Sequence, residues 1–249
     1  MFGRRITKRS LDLAVSIVAL ALLAPFLLAI AGTCLLFQGR PIVHVSVRAG
    51  RRSKPFRLYK FRTMSNDVDG TGQLRPDEER MTRVGRVLRA TSLDELPQLL
   101  NIARGEMSLV GPRPLPIAYI GRYSEYESRR LRMRPGLTGL AQVRGRNSIS
   151  WQQKFAYDIA YVERWSWRLE VRIIVSTFAV VLGRHGVSSS EQATMHEFRG
   201  TTKQKLATPG TAAVRIAGPS ARPRARMIPP PLPSDMLEEM ASSLEVRAS

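Results

Sequence analysis

The first forty residues contain the longest uninterrupted apolar run of the chain. Leu13–Phe37 carries no charged residue over 25 positions. In helical form this run measures about 37 Å, enough to cross a hydrocarbon core of about 30 Å. Pro25 lies in its middle, where it removes the hydrogen bond to the Ala21 carbonyl. The pattern predicts either a kinked spanning helix or a helix–break–helix that enters one leaflet and returns.

Basic residues flank this run on both sides. Four precede it and four follow it: Arg4, Arg5, Lys8, Arg9, Arg40, Arg48, Arg51 and Arg52. A spanning helix usually concentrates Lys and Arg on its cytoplasmic side, so this symmetry favours the re-entrant form with both ends on the cytoplasmic face. A signal peptide is a further alternative, because Ala29-Ile30-Ala31 has the A-x-A form. The apolar run, however, continues past that site.

Beyond the apolar run the pattern changes to shorter elements. Residues 41–64 alternate apolar and polar positions around a basic turn, which predicts a β-hairpin. A polar surface loop is predicted over 65–79. Helical spacing returns from Arg80 to Ile102 and again from Ile117 to Met133. The glycines and proline of RPGLTGLAQVRGRN, residues 134–147, predict a structured loop.

Aromatic residues divide the remaining sequence into two parts. All three tryptophans fall within residues 151–167, a cluster that fits either a protein core or the headgroup level of a membrane. After Gly200 there is no aromatic residue, and seven of the sixteen prolines occur there, which predicts a disordered tail. We therefore expect a membrane hairpin (1–40), a catalytic unit (41–200) and a Pro-rich tail (201–249). The predicted fold class is α+β and mostly helical, with a cytoplasmic unit of amphipathic helices and one short β-hairpin.

Charge and composition narrow the function. The net charge is +19, which predicts an anionic partner such as nucleic acid, an anionic membrane surface or a phosphorylated substrate. The excess belongs to the folded part, since residues 1–200 hold 32 basic and 16 acidic residues. A single cysteine excludes a disulfide scaffold, and the three histidines lack zinc-site spacing.

Asp94 and Glu95 are the most informative polar pair. Ser92-x-x-Glu95 matches a capping box, which is a purely structural interpretation. The helix begins either after Ser92 or at Pro97, a residue that suits the first helical position. Either start places both carboxylates at a helix N-terminus, where the dipole favours the ionised form. A carboxylate nucleophile or a magnesium ligand requires that form, so catalysis is the second interpretation.

Several cations are candidate partners for a phosphorylated substrate. Arg113 stands between Pro112 and Pro114, whose fixed backbone holds its guanidinium in place for bidentate contact with phosphate. Lys60, Arg62 and Arg89 are further candidates, with an ordinary solvated basic face as the alternative.

Five motifs occur in a fixed order, together with the Pro-broken apolar run. They are K-R-S-L-D at 8–12, F-R-L-Y-K-F-R-T-M at 56–64, S-L-D-E-L-P-Q-L at 92–99, S-L-V-G-P-R-P at 108–114 and R-P-G-L-T-G-L-A-Q-V at 134–143. The series resembles the bacterial sugar transferase family, the small monotopic phosphoglycosyl transferases, over about residues 5–200. The chain departs from the family pattern at Ala24, Leu140 and Arg144, where the family usually has Ser, Trp and Asn.

The resemblance implies a membrane enzyme that moves a sugar 1-phosphate from a UDP-sugar to polyprenyl (undecaprenyl) phosphate and releases UMP. Asp94 would be the nucleophile of a covalent aspartyl-phosphosugar intermediate. Glu95, together with Asp94, would hold Mg²⁺, and Lys60, Arg89 and Arg113 would contact phosphate. The implied location is the cytoplasmic face of the inner membrane, at the first membrane step of exopolysaccharide or glycoconjugate synthesis. The implied partners are membrane lipid and downstream glycosyltransferases, not nucleic acid.

The main alternative function is a membrane-anchored basic protein that binds nucleic acid. It accounts for the net charge of +19 and for the arginines at i+3 spacing from Arg80 to Arg89. It does not account for Asp94-Glu95 or for the rigid segment around Arg113.

Overall fold

The computed structural model describes residues 2–145, 149–182 and 197–200. The predicted tail, 201–249, and two of the three histidines, His185 and His196, lie outside these ranges. Residues Met1–Arg199 form one compact unit. Its helices are α1 Phe2–Gln38, α2 Asp77–Arg80, α3 Arg83–Ala90, α4 Gln98–Arg104, α5 Glu125–Ser128, α6 Leu140–Arg144, α7 Trp151–Glu163 and α8 Trp167–Leu182, and its strands are β1 Val43–Ala49, β2 Pro55–Phe61, β3 Ser108–Val110 and β4 Gly136–Thr138.

Helix α1 contains the whole apolar run, and Pro25 lies inside it. It is the one described helix long and apolar enough to cross a bilayer. Pro25 does not end the helix, because a proline removes one hydrogen bond while the turns on either side keep theirs. One face of α1 packs on the rest of the unit, and the other leaves large apolar side chains exposed, among them Leu22, Leu28 and Leu36. The helix–break–helix thus stays a prediction, whereas the long apolar N-terminal helix is confirmed.

Both halves of α1 contact the same unit through two apolar clusters. Ala19, Leu20 and Leu23 pack against a cluster of Phe56, Leu58, Leu99, Ile102 and Met107. Ile30 and Cys34, on the C-terminal half, are buried with Phe61 and Leu88. The β-hairpin contributes to both clusters, so α1 lies along the catalytic unit over most of its length.

The predicted hairpin is confirmed. Strands β1 and β2 are antiparallel, with Val43 opposite Phe61 and His44 opposite Lys60. The expected alternation holds on β2, where Phe56 and Leu58 are buried and Arg57 is exposed. The last residue but one of this strand, Lys60, lies at the end of the hairpin away from the turn.

A second, two-stranded sheet pairs two segments that are distant from each other in the sequence. Strands β3 and β4 are parallel, with Ser108 opposite Gly136 and Val110 opposite Thr138. The backbones touch closely here, since a Cβ on Gly136 would lie 2.0 Å from the Gly111 nitrogen. The described part of the loop predicted over 134–147, residues 134–145, is therefore structured, but it contains β4 and α6 rather than turns alone.

The helix predicted over Ile117–Met133 is wrong as a continuous element, and the helical spacing from Arg80 to Ile102 is divided among several elements. The span from Arg80 to Ile102 breaks at Ser92, whose φ is 58°, and a 3-10 turn at Leu93–Glu95 precedes α4. The span from Ile117 to Met133 divides into the 3-10 turns Ile117–Arg122 and Arg129–Arg132 around α5. A capping box of Ser124 and Glu127 starts α5 anew, so local capping outweighs the continuing apolar spacing.

The aromatic cluster is mainly core. Trp151 and Phe155 of α7 pack against Tyr119, Tyr123 and Phe198 with ring centroids 5.0–5.8 Å apart. On α8 the pattern differs, because Trp167 and Phe178 belong to an apolar stripe that is exposed. Of the two alternatives for the aromatic cluster, protein core or membrane headgroup level, the first is therefore correct for α7.

Candidate active site

Four side chains from three parts of the chain meet beside the β1–β2 hairpin. Lys60 belongs to β2, Asp94 and Glu95 to the 3-10 turn before α4, and Arg113 to the segment after β3. Lys60 Nζ lies 2.5 Å from Glu95 Oε1 and 3.8 Å from Asp94 Oδ2. Arg113 Nη2 lies 2.9 Å from the same Glu95 oxygen. The structure therefore brings the predicted acidic pair together with two of the predicted phosphate-binding cations.

Glu95 is held by two cations through one of its oxygen atoms. Burial raises the pKa of its carboxyl group, but the charges of Arg113 and Lys60 outweigh burial and lower this pKa from 4.5 to about 2. Glu95 is therefore ionised at neutral pH. Its contacts also fix the positions of both cationic side chains, which pre-organises them for an anionic substrate.

Asp94 has a different environment from its neighbour. It is 7% exposed, and among the described residues no side chain donates a hydrogen bond to its carboxylate; its nearest cation is Lys60, at 3.8 Å. Burial raises the pKa of Asp94 although Lys60 acts in the opposite direction. The expectation that a helix terminus favours the ionised form is thus outweighed by desolvation. A buried carboxylate without donors keeps its lone pairs available for an electrophile.

The capping box expected from Ser92 and Glu95 does not form. The Ser92 backbone is left-handed, and its side chain makes no capping hydrogen bond. The Glu95 side chain turns instead to Lys60 and Arg113. Pro97 is the residue that precedes α4, so the acidic pair lies just before this helix, and the structural interpretation of the pair is wrong.

Arg89 approaches the acidic pair from α3. Its Nε donates a hydrogen bond to Thr63 Oγ1 at 3.0 Å. Burial lowers the pKa of Arg89, and the negative charge of Asp94 acts in the opposite direction. Gly85 permits this placement, since a Cβ there would lie 1.9 Å from the Thr63 carbonyl oxygen. Five of the six candidate residues, all except Arg62, are consequently grouped around the end of β2.

A buried ion pair fixes the backbone at Arg113. Arg130 Nη2 donates a hydrogen bond to the Arg113 carbonyl oxygen at 2.5 Å and another to Asp158 Oδ2 at 2.7 Å. The side chains of Arg130 and Asp158 are 2% and 4% exposed. The Arg113 side chain itself is 48% exposed. A rigid backbone thus presents a guanidinium group that a substrate can reach.

The N-terminal motif K-R-S-L-D also supports this segment. Asp12 accepts hydrogen bonds from Ser108 Oγ at 2.7 Å and from the Leu109 nitrogen at 3.1 Å. Lys8, one turn earlier, pairs with Glu170 of α8 at 2.8 Å. Asp12 thereby ties α1 to β3, the strand that leads to Arg113.

Sequence reasoning missed one cation at the site. Arg48, on β1, bridges through its backbone to Pro116, two residues beyond Pro114. Burial lowers the pKa of Arg48, as does the positive charge of Arg113, whereas the charge of Glu95 raises it. The two-residue period of β1 is the signal that places Arg48 on the same strand face as His44, the partner of Lys60.

Arg62 lies elsewhere, although the sequence made it a candidate for phosphate contact. Its guanidinium donates hydrogen bonds to the carbonyl oxygens of Gln38, Gly39 and Arg40. Arg62 therefore satisfies the unpaired carbonyls at the C-terminus of α1, where a cation also suits the helix dipole.

The acidic pair also fits a magnesium ion as part of its coordination. Mg²⁺ in phosphate-transferring sites usually takes one or two carboxylates and completes its shell with water and substrate phosphates. Both ion pairs of Glu95 use Oε1, and Asp94 supplies a second carboxylate beside it. Within the described ranges no group of three or more His, Cys, Asp and Glu side chains could hold a metal. The site thus fits Mg²⁺ together with phosphate oxygens.

Comparison with known proteins gives a consistent result. Residues 3–184 match the family described as "Bacterial sugar transferase". The chain is 44% identical over 196 residues to "Uncharacterized sugar transferase EpsL" of Bacillus subtilis (strain 168), covering 79% of this chain and 97% of that protein. It is 43% identical over 186 residues to "UDP-glucose:undecaprenyl-phosphate glucose-1-phosphate transferase" of Caulobacter vibrioides, covering 70% and 69%. It is 36% identical over 199 residues to "Undecaprenyl-phosphate galactose phosphotransferase" of Salmonella typhimurium, covering 73% of this chain and 42% of that longer protein.

Proposed function

The chain belongs to the bacterial sugar transferase family, and on this premise we propose that it transfers a sugar 1-phosphate from a UDP-sugar to undecaprenyl phosphate. The reaction releases UMP and initiates exopolysaccharide synthesis. Two of the relatives bear names that state this transfer, one for glucose and one for galactose. Family membership favours this activity over the nucleic-acid alternative.

The contrast between Asp94 and Glu95 is the observation that carries the mechanism. A carboxylate oxygen of Asp94 attacks the β-phosphorus of the UDP-sugar. A new oxygen–phosphorus bond forms, the bond to the bridging oxygen breaks, and UMP leaves with that oxygen and its electron pair. A phosphate oxygen of the acceptor then attacks the same phosphorus and returns Asp94 to its carboxylate form. Glu95 cannot take the same part readily, since Lys60 and Arg113 already hold it.

Four cations surround the two carboxylates. Lys60, Arg89 and Arg113 bind the phosphates of the donor, and Arg48 adds a further charge beside Arg113. Fixed cations stabilise the charge that accumulates on the phosphoryl oxygens during each displacement. When bound, Mg²⁺ at Asp94 and Glu95 would neutralise part of the diphosphate charge.

The contacts of α1 support placement of this chemistry at the cytoplasmic face of the inner membrane. Asp12 and Cys34 are buried against the unit that holds the site. They are 22 positions apart, about 33 Å along a helix. Because the unit contacts α1 near both of its ends, the unit cannot lie beyond one end of a membrane-spanning α1. We therefore favour a monotopic arrangement in which both ends of α1 stay on the cytoplasmic side.

The nucleophile is tested with Asp94→Asn. With Mg²⁺ and UDP-sugar but no lipid acceptor, the unaltered enzyme should release one equivalent of UMP in a burst and gain the mass of one phosphosugar. Asp94→Asn keeps the side-chain shape but supplies a poor nucleophile, so both the burst and the adduct should disappear. Rapid-quench assay of UMP and intact-protein mass spectrometry measure the two effects.

The exposed residue Asp67 offers a matched control, because Asp67→Asn removes the same charge outside the site. This variant should retain the burst and the adduct. A full burst from a folded Asp94→Asn protein would refute the covalent role of Asp94. Release of no UMP from the unaltered enzyme with any UDP-sugar would refute the transferase function itself.

A further inference from the structure

The turn of the β1–β2 hairpin borders a cavity of about 380 Å³. Five basic side chains line it: Arg51, Arg52, Lys54, Arg104 and Arg134. Among the described residues around the cavity, Glu106 is the acidic one, and it accepts a hydrogen bond from Asn101 Nδ2 at 2.6 Å. The cavity therefore carries an excess of positive charge, and mutual repulsion of these cations is relieved when an anion binds.

This cavity is separate from the site around Asp94. Pro55, the first residue of β2, lines the cavity. Lys60 lies five positions further along the same strand, and five residues of extended strand measure about 17 Å. A single diphosphate is too short to bridge that distance. The cations at the turn therefore lie beyond the reach of a diphosphate held at the site around Asp94.

The backbone of the turn is strained where the cations are placed. Arg52 and Ser53 have φ values of 56° and 62°, in the left-handed region that residues with a Cβ rarely adopt. Glycine or asparagine would fit such a turn with less strain. Strain of this kind persists where side-chain placement matters, and here it accompanies three cations in four positions, Arg51, Arg52 and Lys54.

The nearby helix end does not account for these charges. The carbonyl end of α4 accepts hydrogen bonds from Arg9, to Ile102 and Ala103 at 2.6 and 2.9 Å. Arg134 Nε donates to the Gly105 carbonyl oxygen at 2.8 Å. Two guanidinium groups thus already satisfy the negative end of the helix dipole. The positive charge of the turn remains in excess.

The cavity lies beside the entry of α1 into its apolar run. Gly105 lines the cavity, and the Arg9 guanidinium lies against it, since a Cβ on Gly105 would be 3.2 Å from Arg9 Nη2. Arg9 precedes Leu13, the first residue of the uncharged run, by about one helical turn. At that depth of a bilayer the abundant anions are headgroup phosphates.

From these observations we propose that the cavity is a binding site for the headgroup phosphate of an anionic phospholipid. Arg51, Arg52 and Lys54 bind the phosphate from the hairpin turn, and Arg104 completes the ring from α4. A bound headgroup at this point holds the hairpin at the membrane surface, at a fixed depth relative to α1. The proposal depends on membrane association of α1 and is independent of the transfer chemistry.

Lipid retention by the full-length protein tests this site. The enzyme is purified in non-ionic detergent, supplied with phosphatidylglycerol or with phosphatidylcholine, and bound lipid is counted by native mass spectrometry. Phosphatidylglycerol should be retained in preference to phosphatidylcholine. The variant Arg51→Gln/Arg52→Gln/Lys54→Gln should bind it about 100-fold more weakly, because each basic residue near an anionic headgroup contributes roughly five-fold.

A matched triple variant controls for net charge. Arg75→Gln/Arg83→Gln/Arg86→Gln removes three exposed arginines elsewhere, and it should retain phosphatidylglycerol like the unaltered protein. Both triple variants should keep the UMP burst, which verifies their folding. The proposal is overturned by equal loss in the two triple variants, by equal retention of the two lipids, or by displacement of the lipid with equimolar inorganic diphosphate. Absence of a burst in the unaltered protein would contradict the proposed function alone.

Discussion

Asp94 and Glu95 are adjacent in sequence, yet their surroundings give them different chemistry. Two cations lower the pKa of Glu95 to about 2, whereas burial raises that of Asp94. The difference follows from how far each side chain reaches. The Glu95 side chain contacts Lys60 and Arg113, whereas the shorter Asp94 side chain lies 3.8 Å from Lys60. Glu95 organises the cations, and the carboxylate of Asp94 is the one that we propose as the nucleophile.

Arg113→Lys tests whether the guanidinium geometry matters beyond its charge. Lysine keeps the positive charge but lacks the planar fork, which contacts Glu95 and which, in the proposed reaction, also binds a phosphate. The loss of one charge-assisted hydrogen bond should lower kcat/KM about 10- to 100-fold, while the free energy of unfolding stays unchanged. UMP-release kinetics measure this. Arg129→Lys, in an exposed ion pair with Glu163, is the matched control and should change kcat/KM little.

Lys154 should give the protein a distinctive pH dependence of stability. Burial, followed by the positive charge of Arg113, lowers the pKa of Lys154 from 10.5 to about 8. Between pH 8 and about 10.4 the unfolded chain then holds a proton that the folded chain has released, so the free energy of unfolding rises with pH in this window.

Lys154→Gln removes this contribution. Denaturant unfolding followed by tryptophan fluorescence at pH 7.5 and pH 10 should show a smaller gain in stability at high pH for the variant than for the unaltered protein. Identical gains in the two proteins would mean that Lys154 is protonated equally in the folded and unfolded states.

At the scale of elements, the sheet β3–β4 is the support for Arg113. Its two strands meet through glycines, and Gly139 also approaches closely, since a Cβ there would lie 2.2 Å from the Gly111 carbonyl oxygen. Backbone atoms cannot move aside as flexible side chains do. The glycines of R-P-G-L-T-G are therefore explained by packing, not by turn conformation.

Gly136→Ala should destabilise the folded unit. The new methyl group would meet the Gly111 nitrogen and the Thr138 carbonyl oxygen, at 2.0 and 2.3 Å. We expect a loss of about 3 kcal/mol in the free energy of unfolding, as for overpacked sites. Gly121→Ala is the matched control, because nothing lies within 4 Å of a Cβ there. Comparable destabilisation by both substitutions in chemical unfolding would contradict the packing explanation.

At the scale of the whole molecule, the proposed membrane placement rests on how α1 is attached to the rest of the folded unit. Its inner face belongs to two clusters of the catalytic unit, and its outer face carries exposed leucines. Such a helix has one face for protein and one for lipid. In the proposed monotopic arrangement, the site beside Lys60 lies close to the phosphate of an acceptor anchored in the same membrane.

Cysteine labelling tests this arrangement. In a Cys34→Ala background, single cysteines at position 5 and at Val45 should both resist a membrane-impermeant maleimide added to intact spheroplasts, and both should react after lysis. Labelling of one position from outside would mean that α1 spans the membrane. Pro25→Ala restores the hydrogen bond to Ala21, so it should shift part of the population towards spanning and lower activity.

Local sequence patterns determine several parts of this protein. The uncharged run determines α1, and the alternation of apolar and polar residues around a basic turn determines the hairpin, with Phe56 and Leu58 inside and Arg57 outside. The sequence also indicates the acidic pair and Arg113, because two adjacent carboxylates and an arginine between two prolines are distinctive local patterns. These features depend on neighbours within one or two turns of chain, and a sequence displays such neighbours directly.

Tertiary structure alone decided the remainder. The pairing of Ser108 with Gly136, the inclusion of Arg48 in the site, the support of Arg113 by Arg130 and the division of labour between Asp94 and Glu95 all depend on groups far apart in sequence. Periodicity shows which face of an element is buried but not which partner covers it. Ser92 illustrates the same limit. Its sequence motif matches a capping box, but the Glu95 side chain forms ion pairs with Lys60 and Arg113 and makes no hydrogen bond to the Ser92 backbone.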